Sequence, residues 1–311
     1  MTQRHRVAGA LMALALSTTA CGAQEEKATT SLRDSIRVSG SFGTAPKLDI
    51  DTPLSIDDSS SWSTHRGQGD KVGAQATAIL QLTLANGRTG ETAVSTYDEG
   101  QRPIEAMLGD QIFPSLVEAL TGKPARSRVV VASTSDDTYG DQGAPQIDVK
   151  GGDPVVMVAD ILSTDPTSVL DGPTGASVAP PATAPVIVET DGVPAGFRFT
   201  GARKPRKLTV VTLREGTGPI VESPDRIAAD YHGAVWGADK AFDETFTKEP
   251  ANFSIGLGSV IKAWDTALVG KREGARVLVI CPPRLAYGAS AQPNIPANST
   301  LVFVVDILGV G

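Results

Sequence analysis

The feature that most constrains this chain is that it repeats itself. Ala119-Leu120-Thr121-Gly122-Lys123 recurs as Ala267-Leu268-Val269-Gly270-Lys271. At the same offset Arg128-Val129 matches Arg276-Val277, and Tyr139-Gly140 matches Tyr287-Gly288. Further on, Val158-Ala159-Asp160-Ile161-Leu162 matches Val304-Val305-Asp306-Ile307-Leu308, the spacing slipping by two residues. Several matches on one offset imply two copies of one fold, and a length of 311 residues fits two domains.

Each copy reads as α+β. In the second, Val210 to Leu213, Ile227 to Tyr231, Ala275 to Cys281 and Leu301 to Leu308 are apolar or β-branched runs bounded by Gly, Pro and Asn, the pattern of strands. One short helix interrupts them. Ser259 is its expected N-cap. Val260, Ile261, Trp264 and Leu268 fall on one face, and Gly270 stands where a helix ends in a left-handed turn. The first copy repeats this with Asp110 as cap, Pro114 in the first turn, and Ile112, Phe113, Leu116 and Leu120 on the face. An antiparallel sheet curled over one short α-helix is the architecture both imply. Between them, Ser163 to about Pro185 is rich in Pro, Ala and Thr and lacks periodicity, as expected of a semi-extended linker. Val186-Ile187-Val188 and Phe197-Arg198-Phe199 resemble strands but alternate too briefly to place.

The first residues read as an address. Arg4-His5-Arg6 is basic, and Val7 to Leu16 is an apolar run shorter than the ~20 residues that span a bilayer, as in a signal peptide. Ser17-Thr18-Thr19-Ala20-Cys21-Gly22 is similar to a bacterial lipobox, in which the cysteine follows the cleavage point and takes a diacylglycerol chain. Thr18 departs from the leucine usual there, and the alternative is ordinary cleavage beside an incidental Cys21. Gln24 to Ser31 is polar and suits a tether. A net charge of −7 without a Lys/Arg cluster of the nucleic-acid-binding kind argues against nucleic acid as a partner. Cys21 and Cys281 lie far apart, so no disulfide framework is expected. The three histidines share no metal-ligand spacing, so no metal site is expected.

Tyr231-His232-Gly233, Phe242-Asp243, Pro250 to Trp264, Ala286-Tyr287-Gly288, and Ile295-Pro296 followed by Leu301-Val302-Phe303 come in the order and near the spacing of the motifs of FKBP-type peptidyl-prolyl cis–trans isomerases. The chain thus resembles a bacterial lipoprotein with two tandem FKBP-like domains. The resemblance implies a pocket with Trp264 as its floor. Its walls would be Tyr231, Phe242, Phe253, Val260, Ile261, Tyr287, Ile295 and Phe303. The Ile261 N–H and the Tyr287 phenol would bind the carbonyls flanking a proline, with the Asp243 carboxylate at the edge. No cofactor is implied. The implied partners are proline-containing polypeptides among exported proteins, a membrane reached through the lipid anchor, and a macrolide ligand. The expected layout is a signal peptide over 1–20, a tether over 21–31, a degenerate FKBP-like domain over 32–163, a linker over 164–200 and the isomerase domain over 201–311. Localisation is expected to be extracytoplasmic, at the cell membrane.

Taken singly, these residues have plainer readings: Trp264 as core, Asp243 as a solvated turn residue, Tyr287 as a buried phenol, Cys281 as an inert core thiol, His232 as a surface residue. Their ordered conjunction is what points to a site. The sequence also departs from the family. Ala251 stands where an aromatic is usual, Leu285 replaces a common Tyr, and the loop from Gly288 to Pro296 is short and carries Gln292. The first copy departs further: Leu116 holds the Trp position, no Phe-Asp pair precedes Thr96-Tyr97, and Tyr139 remains. It is expected to be non-catalytic. The rival expectations are a polypeptide-binding, chaperone-like lipoprotein without catalysis and a purely structural spacer.

Overall fold

The computed structural model describes residues 32–109 and 112–311. The expected signal peptide, Cys21, the expected tether and the expected Asp110 cap lie outside the described residues.

The two copies share one topology strand for strand. In the first, β3 (Ser60–His65), β4 (Thr77–Asn86), β5 (Thr92–Ser95), β6 (Ile104–Met107), helix α1 (Pro114–Leu120), β7 (Ser127–Ser133) and β8 (Val155–Thr164) follow in sequence. In space the strands order β3-β7-β8-β4-β5, with β6 also on β4. In the second, β11 (Thr209–Glu215), β12 (Asp225–Val235), β13 (Ala241–Glu244), β14 (Ala251–Ile255), helix α2 (Lys262–Leu268), β15 (Ala275–Cys281) and β16 (Leu301–Val310) give β11-β15-β16-β12-β13, with β14 on β12. All these pairings are antiparallel. The irregularity between Ala228 and Ala229 against β16 recurs between Ile79 and Leu80 against β8. Bulges of this kind bend a sheet and increase its twist.

Each sheet is covered on both faces, which explains why its central strands read as unbroken apolar runs. Side chains alternate along a strand. Val277, Val279, Leu301, Phe303, Val305 and Ile307 therefore pack toward α2, while Leu278, Ile280, Val302 and Val304 pack on the opposite face. That outer face is roofed by a hairpin the sequence did not place: β9 (Val186–Thr190) and β10 (Val193–Arg198), whose Phe197 is buried on it. The first sheet has the same roof. There β1 (Ile36–Ser39) and β2 (Lys47–Ile50) set Ile36 and Ile50 over Val130, Ala132, Val156 and Val158. His232, expected at the surface, is instead buried beneath the second hairpin, edge-on to Phe197 at 5.5 Å, and burial lowers its pKa. The segment expected as a linker is fastened along the second repeat: Leu170 N–H donates to Leu308 O, Thr174 N–H to Gly274 O and Val178 N–H to Leu213 O.

A buried ion pair bolts each roof to its sheet. Arg128 and Asp160 face each other across β7 and β8, at 2.6 and 2.7 Å, and are both 1% exposed. Arg128 also donates to the carbonyls of Gly40 and Thr44 in the β1–β2 turn, and Asp160 accepts from Gly43 N–H. Arg276 and Asp306 occupy the matching register at 2.7 and 2.8 Å, and Arg276 reaches Glu189 on β9 at 2.7 Å. With the donors and acceptors of the charges met, their desolvation is offset.

Candidate functional site

The site lies between α2 and the inner face of the second sheet. The helix begins at Lys262, with Ile261 as the residue before it, and no side chain caps it. The expected cap, Ser259, lies in the preceding loop, and its hydroxyl donates instead to Glu105 of the first repeat at 3.0 Å. The loop is held from the helix side by Asp265, which accepts from the N–H groups of Gly256 and Gly258 at 2.7 and 3.1 Å. Both glycines have positive φ, +90° and +75°, a region that side chains rarely tolerate. This turn places Val260 and Ile261 ahead of the helix rather than on its face, where both pack half-buried against the inner core. Gly270 does end the helix segment with φ +82°.

Trp264 faces the sheet and is 3% exposed. Three rings meet its indole edge-on: Tyr231 at 5.3 Å and 87°, Phe253 at 5.0 Å and 69°, Phe303 at 5.6 Å and 81°. Phe242 in turn packs edge-on to Phe303 at 5.6 Å, and Tyr231 to Phe253 at 5.8 Å. Edge-to-face pairs contribute about 0.5–1.5 kcal/mol each beyond area burial, so the five rings hold one another in place. Ile295 is 5% exposed in the same cluster, whereas Tyr287 is 39% exposed at the rim. The ten expected residues thus fall into a buried floor, a half-buried aromatic wall, and an exposed edge formed by Asp243 and Tyr287.

Three donors stand around this wall. The Trp264 Nε1–H is buried and finds no partner among the described residues. The N–H of Ile261 and the hydroxyl of Tyr287 make no hydrogen bond among the described residues either. The Tyr231 phenol donates to an Asp243 carboxylate oxygen, and the other oxygen accepts Glu244 N–H at 2.9 Å. Burial first, and the adjacent Asp243 carboxylate second, push the Tyr231 phenol well above its ordinary range, so it stays a neutral donor at physiological pH. Cys281, on the inner face, is fully buried, and burial pushes its thiol up to about 11. A thiol this protonated and inaccessible is no nucleophile.

Two residues of the site carried no assigned role in the sequence. A Cβ at Gly233 would lie 2.8 Å from both the Phe242 and Phe303 rings, so glycine there is what lets them rest on the sheet. Thr245 accepts from Tyr231 N–H at 2.9 Å and donates to Asp230 at 2.9 Å, fixing the strand that presents the phenol. The repeat itself held the signal for Thr245, because Thr96 accepts from Leu82 N–H in the same way.

That match aligns the two clefts. Leu82 stands for Tyr231. Leu84 stands for Gly233 and Val94 for Asp243. Ala106 replaces Phe253 and Met157 replaces Phe303. Leu116 replaces Trp264. Phe113 closes edge-on upon Tyr139 at 5.0 Å. Aliphatic side chains stand in the first repeat where the second carries aromatic rings.

The family model of FKBP-type peptidyl-prolyl cis-trans isomerases matches residues 218–308. An FK506-binding protein 4 of Mycosarcoma maydis is 37% identical over 113 residues, covering 36% of this chain and 30% of that protein. The chain spans 23% and 32% of two other curated relatives, from Chaetomium thermophilum and Drosophila melanogaster. Among solved structures, the three FKBP domains of wheat FKBP73 align with 81% of this chain and 94% of that one, at 16% identity and a TM-score of 0.35. An FK506-binding protein of Streptomyces anulatus is 31% identical over 115 residues, which are 36% of this chain and 93% of that protein. Through this near full-length match and the family model over its second repeat, the chain belongs to the FKBP-type peptidyl-prolyl cis-trans isomerase family.

Proposed function

We propose that the second repeat accelerates cis–trans isomerisation of X–Pro bonds in exported polypeptides. The observation that carries this reading is a buried indole ringed edge-on by Tyr231, Phe253 and Phe303, beside an Ile261 N–H and a Tyr287 hydroxyl that make no hydrogen bond among the described residues. An X–Pro bond rotates through a twisted amide that has lost its resonance, which without help takes roughly tens to hundreds of seconds. Rotation needs no nucleophile and no proton transfer. A dry aromatic surface suits a proline ring and disfavours hydration of the planar amide. The Ile261 N–H and the Tyr287 hydroxyl would hold the flanking carbonyls while the bond turns. Each tenfold gain requires about 1.4 kcal/mol of preference for the twisted form. Asp243 orients the Tyr231 phenol at the mouth.

In this reading residues 201–311 form the isomerase domain. Residues 32–163 form a related domain without catalysis, consistent with its aliphatic filling. A macrolide such as the FK506 for which the relatives are named would compete for the same site. Export and a diacylglycerol on Cys21 would place the protein outside the cytoplasm at the membrane. Mass spectrometry of the mature N-terminus tests this, and a released chain with an unmodified cysteine excludes the anchor.

The deciding measurement is relaxation of a short X-Pro peptide with the full chain. Acceleration reduced much more in Trp264→Ala and Asp243→Ala than in Leu116→Ala is the expected result. A folded chain that gives no acceleration overturns the reading. If that chain still suppresses aggregation, and pocket variants do too, polypeptide binding without catalysis takes its place.

A further inference from the structure

Strand β6 of the first repeat lies against the loop that leads from β14 into α2 of the second. Arg102 donates to the carbonyl of Leu257 at 2.8 Å. One oxygen of Glu105 accepts from the Ser259 hydroxyl at 3.0 Å, and the other accepts from Arg226 at 2.7 Å. Arg226, 6% exposed, also donates to Ser254 at the end of β14, at 2.9 Å, and to Asp165 between the repeats. The first repeat therefore grips this stretch directly at Leu257 and Ser259, and reaches Ser254 only through Arg226 of the second repeat. Within its own repeat the loop is held at Gly256 and Gly258 by Asp265. A loop with two glycines is conformationally permissive, and its last two residues are Val260 and Ile261, which pack against the Trp264 cluster.

We propose that Glu105 and Arg102 are positioning residues for the isomerisation, clamping loop 256–261 from the first repeat so that Val260 and the Ile261 N–H stay over the Trp264 indole. The repeat whose own cleft is filled thus sets how well the other holds its substrate. The inference rests on the isomerase reading of that cleft.

The experiment uses the full chain, with KM and kcat measured on one X-Pro peptide and amide hydrogen exchange followed at Ile261. Glu105→Ala and Ser259→Ala should each raise KM about fivefold, the net effect of one partly exposed hydrogen bond, with kcat changed far less. Ile261 exchange should accelerate in both. Glu105→Gln, which keeps an acceptor for the Ser259 hydroxyl, should restore KM and exchange even though it weakens the Arg226 pair. Met107→Ala, 68% exposed on the same strand, should match the parent. A Glu105→Ala chain with a lowered Tm but unchanged KM and Ile261 exchange would reduce the contact to simple domain adhesion and overturn the proposal. Should the parent chain prove inactive, the isomerase reading falls, and exchange alone decides the clamp: faster in Glu105→Ala supports it, unchanged overturns it.

Discussion

The two repeats keep the same strand order, the same bulges and the same buried Arg–Asp bolts, yet differ at almost every position around the cleft. Tyr231, Asp243, Phe253, Trp264 and Phe303 in the second stand where the first has Leu82, Val94, Ala106, Leu116 and Met157. What is common sits where a change would unpair a buried charge or break sheet register. Apart from the exposed Asp243, what differs sits where one largely apolar side chain can replace another. Stability and candidate site therefore occupy separable sets of residues, and the first copy has the first set without the second.

The comparison can be tested first where the copies should agree. Arg128→Ala and Arg276→Ala should each destabilise the chain by about 3–5 kcal/mol in urea denaturation, because each leaves an uncompensated buried aspartate. A gap of more than about 2 kcal/mol between them would break the equivalence of the bolts. The next pair should disagree in activity. Trp264→Ala removes three edge-on ring contacts, together about 3 kcal/mol of stability, and takes away the floor of the proposed site, so kcat/KM should fall about a hundredfold, equivalent to about 2.7 kcal/mol of barrier. Leu116→Ala should cost about 3 kcal/mol of stability, as a buried leucine does, and leave kcat/KM at the parent value.

A smaller contrast lies in pH dependence. Asp225 is fully buried and desolvation pushes its pKa to about 6, whereas the register places Ala76 at the same point of the first repeat. A folded-state pKa above the unfolded value means that the fold binds the proton more tightly. This group's contribution is then complete below about pH 4 and is lost as pH rises through about 6. Asp225→Asn should flatten the stability profile between those values by about 2–3 kcal/mol. An unchanged slope in urea titrations at pH 4 and pH 7 would assign it to other carboxylates. The smallest effect belongs to Tyr231→Phe. Losing the bond to Asp243 should lower kcat/KM about fivefold with little change in Tm. A hundredfold loss would give the phenol a direct role on substrate.

Much of this was legible because it is local or periodic. β15 coincides with the run Ala275 to Cys281, and β16 extends Leu301 to Leu308 by two residues. The roofing hairpins were not legible. Ile36-Arg37-Val38-Ser39 has two apolar residues, too few for an alternation to stand out, and its partner is recognised only across the turn that Arg128 secures. Missing the second roof is also why His232 read as a surface residue. The helix start went astray because Ser259 has the chemistry of a cap but a partner in the other repeat, 154 residues away. Ordered motifs pointed to the rings of the cleft. Gly233 stands in one of those motifs without a role of its own, because its contribution is a missing carbon.

That missing carbon has a consequence for how such a site can disappear. Two aromatic rings occupy the ground a side chain would claim at Gly233, and Leu84 claims that ground in the sister copy. Once the rings shrink, a bulkier neighbour gains burial by growing inward, and the hollow closes with the sheet intact. A duplicated domain of this kind can turn from catalyst to scaffold by steps that each preserve folding, and the reverse journey would require the bare backbone and the rings to return together.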